Sequence, residues 1–115
     1  MALKQDKELK LYYSIREVAE IFGVNESLLR YWETQFPMII PKKTSGKVRQ
    51  YTKEDIDNVR LVYFLVKEKK MTLAGAKLQL KQNKESVRNT VEILEHLNSI
   101  KEELIKMRKE LDYLT

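Results

Sequence analysis

The fold turns on one stretch: Tyr13-Ser14-Ile15-Arg16-Glu17-Val18-Ala19-Glu20-Ile21-Phe22-Gly23-Val24-Asn25-Glu26-Ser27-Leu28-Leu29-Arg30-Tyr31-Trp32-Glu33. Ser14 with Glu17 three residues on is a capping box, in which hydroxyl and carboxylate each satisfy a free amide. Ile15, Val18, Ala19 and Phe22 then recur at helical spacing, and Gly23 supplies a left-handed stop. Asn25 is a good N-cap for a second short helix, with Leu28, Leu29 and Trp32 on its apolar side. Helix, glycine-containing turn and helix in such quick succession predict a helix-turn-helix.

Downstream, Phe36-Pro37 ends the second helix. Met38-Ile39-Ile40 starts a strand and Val48-Arg49-Gln50-Tyr51 returns, with a basic tip at Lys42-Lys43-Thr44-Ser45-Gly46-Lys47. This predicts a two-stranded wing. Thr52 with Asp55 resembles a second capping box, opening a helix to about Lys69 whose buried stripe is Ile56, Val59, Tyr63 and Val66. Thr72 caps a further helix with Leu73, Ala76 and Leu80 inward, and Gln82-Asn83-Lys84 is a polar joint. From about Ser86 to Leu114 one long helix carries Ile93, Leu97, Ile100, Leu104, Met107, Leu111 and Leu114 as a heptad seam. Such a seam is wet on a lone helix. Folding back onto the same chain would cover it only in part, since the seam is longer than the preceding domain readily covers, so pairing with another chain is expected. The expected fold is therefore mainly α: a winged helix-turn-helix with a two-stranded wing, two further helices and a long C-terminal coiled-coil helix. The expected divisions are an arm over 1–11, a DNA-binding domain over 12–82 and a dimerisation helix over 83–115.

The net charge of +5 is unevenly spread. Residues 86–115 carry five basic and six acidic side chains, so the surplus sits in the preceding body. A basic body points to a polyanion partner, although a merely lysine-rich surface is the plainer reading. The 115 residues contain no cysteine, which excludes disulfides, thiolate metal sites and thiol switches. The N-terminus lacks an apolar core of signal-peptide length, and the longest apolar run, Leu61 to Val66, is far too short to span a bilayer. A cytoplasmic, nucleoid-associated protein is expected. The single histidine, His96, falls in the coiled-coil segment, and no nucleophile elbow or phosphate loop occurs. No enzyme, metal or cofactor is expected.

Three elements would then present DNA-binding side chains. The second helix offers Ser27, Arg30 and Tyr31, with Trp32 taken as core. The wing offers Lys42, Lys43, Lys47 and Arg49, in a stretch from Lys42 to Lys53 with five cations and no acid. The first helix offers Ser14 and Arg16 beside free amides that favour a phosphate. Arginine on the second helix could read guanine in the major groove, whereas Arg30 tied to Glu26 or Glu33 is the structural alternative.

Tyr13-Ser14-Ile15-x-x-Val18-Ala19, Phe22-Gly23-Val24, Ser27-Leu28-Leu29-Arg30-Tyr31-Trp32-Glu33, Gly46-x-x-Arg49-x-Tyr51-Thr52 and Thr72-Leu73-x-Gly75-Ala76 resemble the MerR-type (mercury-resistance regulator) family over residues 11–82, in its Trp-Glu branch. The resemblance implies major-groove contact by the helix bearing Ser27, Arg30 and Tyr31 and backbone contact by Arg49, with Tyr51 of the same motif placed beside it at the DNA-binding surface. It implies a homodimer through antiparallel C-terminal helices, acting at a (pseudo)palindromic promoter site, with RNA polymerase a further candidate partner. It also implies regulation of transcription without the effector domain of larger relatives. The seam's own charges pull the other way. Lys101 and Arg108 at e and Glu103 and Glu110 at g pair acid to base only in parallel strands. The competing functional expectation is an architectural or excisionase-like DNA-binding adaptor without strong sequence preference.

Overall fold

The computed structural model describes residues 11–114. The expected arm over 1–11 therefore lies, but for Leu11, outside the described residues. The chain divides into two compact units, one up to Lys77 and one from Leu78 onward.

In the first unit, helix α1 (Ile15–Phe22) opens with the Ser14–Glu17 capping box, each of whose two bonds is 3.1 Å. It ends at Gly23, where φ is 63°. The amides of Gly23 and Val24 then reach the Glu20 and Ala19 carbonyls, satisfying the helix end. Helix α2 (Glu26–Gln35) starts at Asn25, whose side chain makes no cap bond; its carbonyl alone opens the ladder to Leu28 and Leu29. Phe36 stops the helix in an extended conformation, as the following Pro37 demands.

The wing is shorter than expected and shifted. Strands β1 (Lys42–Lys43) and β2 (Arg49–Gln50) pair antiparallel, with Lys42 opposite Gln50 and Lys43 opposite Arg49. Met38-Ile39-Ile40 is no strand. Ile39 is a buried plug, and the Met38 carbonyl accepts a 3.0 Å hydrogen bond from the buried Asn58 side chain. Pro41 has no amide to give a ladder, so pairing begins only after it. Lys42 and Lys43 thus belong to a strand, and the tip is Thr44 to Lys47. An isolated bridge joins Tyr13 to Tyr51 at the base of the wing.

Helix α3 (Lys53–Tyr63) carries the Thr52–Asp55 capping box and continues into a π-helical turn, Phe64–Glu68. Its buried surface is broader than a stripe: Ile56, Val59, Leu61 and Val62 are all buried. Tyr63 and Val66, expected inside, are only half-buried. A helix buried on more than one face is a central helix. The π turn also inserts an extra residue, which resets the phase so that Phe64 and Leu65 point inward. Phe22 of α1 lies 5.6 Å from the Tyr63 ring, with the Arg60 guanidinium 5.7 Å from its own centroid. The core of this unit is Val18, Leu29, Trp32, Phe36, Tyr51, Val59, Val62 and Leu65.

Helix α4 (Leu73–Leu114) begins after Thr72, whose hydroxyl accepts from the Gly75 amide at 3.1 Å. In the second unit Asn83 (φ −132°, ψ 37°), inside the expected joint, is non-helical, and the range is two helices meeting at a kink there. Leu80, Val87 and Val91 are buried, and every residue from Glu92 to Leu114 is exposed. Among the described residues no helix is long and apolar enough to cross a membrane.

Candidate nucleic-acid interface

The interface begins with what α2 cannot bury. Leu29 and Trp32 face the core, which leaves Ser27, Arg30, Tyr31 and Thr34 on the opposite face at spacings of three and four. All four are exposed. Thr34 was not anticipated from sequence; its hydroxyl donates to the Tyr31 carbonyl at 2.6 Å. Arg30 lies 3.6 Å from Glu26 with both side chains nearly half exposed. An exposed pair of this kind is worth about 0.3–0.5 kcal/mol, so it can yield to a stronger partner.

Lys42, Lys43 and Lys47 are exposed on the wing. The strand register separates the first two. Lys43 shares a face with Arg49, while Lys42 shares the other face with Gln50. At the tip the Lys47 amide donates to the Thr44 carbonyl at 2.8 Å, and Lys47 itself sits at φ 60°. That left-handed conformation usually selects glycine.

Two expected contacts change character. Arg49 is turned toward the body: its Nε donates to both Glu33 carboxylate oxygens, at 2.8 and 3.1 Å. Tyr51, expected among the DNA-binding residues, is instead fully buried, because its ring belongs to the core. Its hydroxyl feels the Glu33 charge without making a well-aligned hydrogen bond. Burial first, and then that negative charge, push its pKa well above the usual tyrosine range. The pairing of Glu33 with Arg49 has no signal in the sequence, because a partner sixteen positions away leaves no local spacing.

The N-terminus of α1 is also less open to phosphate than expected. The amides of Ser14 and Glu17 are already satisfied, and the Glu17 carboxylate occupies that end. Arg16 is exposed and lies 3.6 Å from Glu20. The structure therefore brings together the outer face of α2 and the wing. Glu33 lies one turn beyond Arg30 on α2, so its bond to Arg49 holds β2 close to the helix face that carries Arg30.

A family model for the MerR HTH regulatory proteins matches residues 13–83. The chain belongs to the MerR HTH family. Of its relatives, the regulator protein TubY of Clostridium botulinum C phage is 31% identical over a 113-residue alignment that covers 92% of this chain. The match spans 47% of TubY, so the chain is about half the length of that relative. Two solved structures share the MerR-family fold. A MerR-family transcriptional regulator from Bacillus cereus superposes with a TM-score of 0.55 at 24% identity, over 91% of this chain and 81% of that one. HiNmlR, a MerR-family regulator lacking the sensor domain and solved bound to promoter DNA, gives a TM-score of 0.52 at 18% identity, over 90% of this chain and 85% of its own. Within the MerR fold, the matched segment contains the whole set of α2 and wing residues described above.

Proposed function

We propose that this chain is a transcriptional regulator that binds double-stranded DNA sequence-specifically, as a homodimer, at a (pseudo)palindromic promoter site. The observation that carries the reading is the exposed face of α2, with Ser27, Arg30 and Tyr31, tied at Glu33 to a lysine-bearing wing. Arg30 reads a base edge in the major groove, and Lys42, Lys43 and Lys47 meet phosphates on either side. Residues 12–82 form the DNA-binding part and residues 83–115 the dimerisation helix. The seam from Ile93 to Leu114 supports pairing: all seven of its apolar side chains are exposed in the single chain. Two such helices can hide them from water together. The helices run antiparallel, in line with the family resemblance, and packing outweighs their weak flanking charges. No effector or catalytic step is assigned.

The test compares Arg30→Ala with the Lys42→Ala/Lys43→Ala/Lys47→Ala triple variant on a selected duplex and on random duplex. Arg30→Ala is expected to cost about 1–3 kcal/mol of discrimination while leaving random binding nearly unchanged. The triple variant is expected to weaken both duplexes alike and to flatten the salt dependence by about 0.9 log units per lost contact. If the triple variant bound both duplexes as tightly as wild type, the proposal would fail.

A further inference from the structure

The wing is too small to hold its own position. It has two residue pairs, and a short isolated hairpin is at best marginally stable in water. Something else must fix it against α2. At its base it is tied by the Tyr13–Tyr51 bridge. Two residues further out it is tied by Arg49, whose side chain is 24% exposed, to Glu33, which is 12% exposed. Arg30, one turn back on α2, is paired instead with Glu26.

From this geometry we infer that Glu33 is a positioning residue for DNA recognition, clamping Arg49 so that the wing is held at a fixed distance from the reading face of α2. Arg49 then serves DNA binding through Glu33 rather than by meeting a phosphate with its Nε. The inference rests on the proposed DNA-binding reading and adds a role that simple electrostatics would deny. A carboxylate beside a polyanion-binding surface should repel DNA, so its removal should help binding. A clamp predicts the opposite sign.

The test uses full-length protein with Glu33→Gln, Arg49→Gln and the double variant. Affinity for a selected duplex is measured across salt concentrations, and thermal unfolding is followed in parallel. Glu33→Gln is expected to weaken binding at least about fivefold, a typical size for coupling between sites. Its unfolding midpoint should stay near that of wild type, a split that a purely structural role would not give. Arg49→Gln should cost little more once Glu33 is gone, because both changes open the same clamp. Tighter binding by Glu33→Gln would overturn the inference. So would an equal loss from Arg49→Gln in both backgrounds, which would make Arg49 an independent phosphate contact. Amide exchange in the free protein separates this inference from the functional reading. The Thr44 amide, bonded to the Val48 carbonyl at 3.0 Å, should exchange faster in Glu33→Gln, while the buried Val59 is unchanged. That result would uphold the clamp even if the wild-type chain bound no DNA. Unchanged exchange at Thr44 would overturn it.

Discussion

The amide of Tyr13 donates to the carbonyl of Tyr51, and the amide of Tyr51 donates to the carbonyl of Tyr13, both at 2.8 Å. Each tyrosine directly precedes the N-cap of a helix, Ser14 for α1 and Thr52 for α3. The bridge therefore sets two capping boxes side by side and closes the wing's base on both. Stability of the body and placement of the wing meet at this point.

Loss of either cap is expected to be felt at the other. Ser14→Ala and Thr52→Ala should each lower unfolding free energy by about 1 kcal/mol. Because the caps adjoin through the bridge, the double variant should depart from the sum of the two by at least about 0.5 kcal/mol. Urea titration of the four proteins checks this, and strict additivity would contradict it.

Tyr51 gives a prediction at alkaline pH. Its folded-state pKa is raised by burial first and by Glu33 next, so folding disfavours the phenolate. An unfolded tyrosine titrates near pH 10. The residue's contribution is thus intact below about pH 10 and is lost as pH rises further toward the folded value. Tyr51→Phe should reduce the fall in stability above pH 10. At neutral pH it should be neutral or stabilising by up to about 1 kcal/mol, because it removes a buried hydroxyl without a well-formed bond. A loss above 1 kcal/mol at neutral pH would mean that the hydroxyl serves Glu33.

Lys47 should separate stability from binding. Its left-handed backbone, at φ 60°, costs a non-glycine residue roughly 1–2 kcal/mol. Lys47→Gly is expected to raise unfolding free energy by about 1 kcal/mol and to flatten the salt dependence of DNA binding by about 0.9 log units. Calorimetry and a salt titration read the two effects independently. A salt dependence left as steep as that of wild type would contradict a contact role for this lysine.

What the sequence disclosed was mostly local. Ser14 with Glu17, Thr52 with Asp55, and Gly23 all act within one turn of chain, so their residue types announce the geometry. The heptad seam is legible for the same reason, being a period along one helix. Glu33 with Arg49 and Tyr13 with Tyr51 were not legible, because the fold alone makes them neighbours. The strand expected at Met38-Ile39-Ile40 failed because two β-branched residues look alike as a strand or as a plug, and Pro37 and Pro41 favoured the plug. The π turn at Phe64–Glu68 left no compositional mark, since six apolar residues in a row suit either phase. Tyr51 was placed on the surface by its motif, whereas the core claims its ring.

The seam predicts the assembly state. Leu104, at the centre of the exposed run, should be hidden in a dimer, and Leu104→Glu should weaken association by about 2 kcal/mol or more. Sedimentation velocity at micromolar concentration should show a wild-type dimer and a largely monomeric variant with reduced affinity for a two-half-site duplex. A monomeric wild type would contradict the pairing.

Selection from random duplex DNA with the purified chain, at near-physiological salt, tests the central claim most directly. Enrichment of an inverted repeat is the predicted result, and its spacing would report how far apart two recognition helices are held. Retention of DNA with no sequence enriched would contradict a sequence-specific regulator and leave an architectural binder in its place.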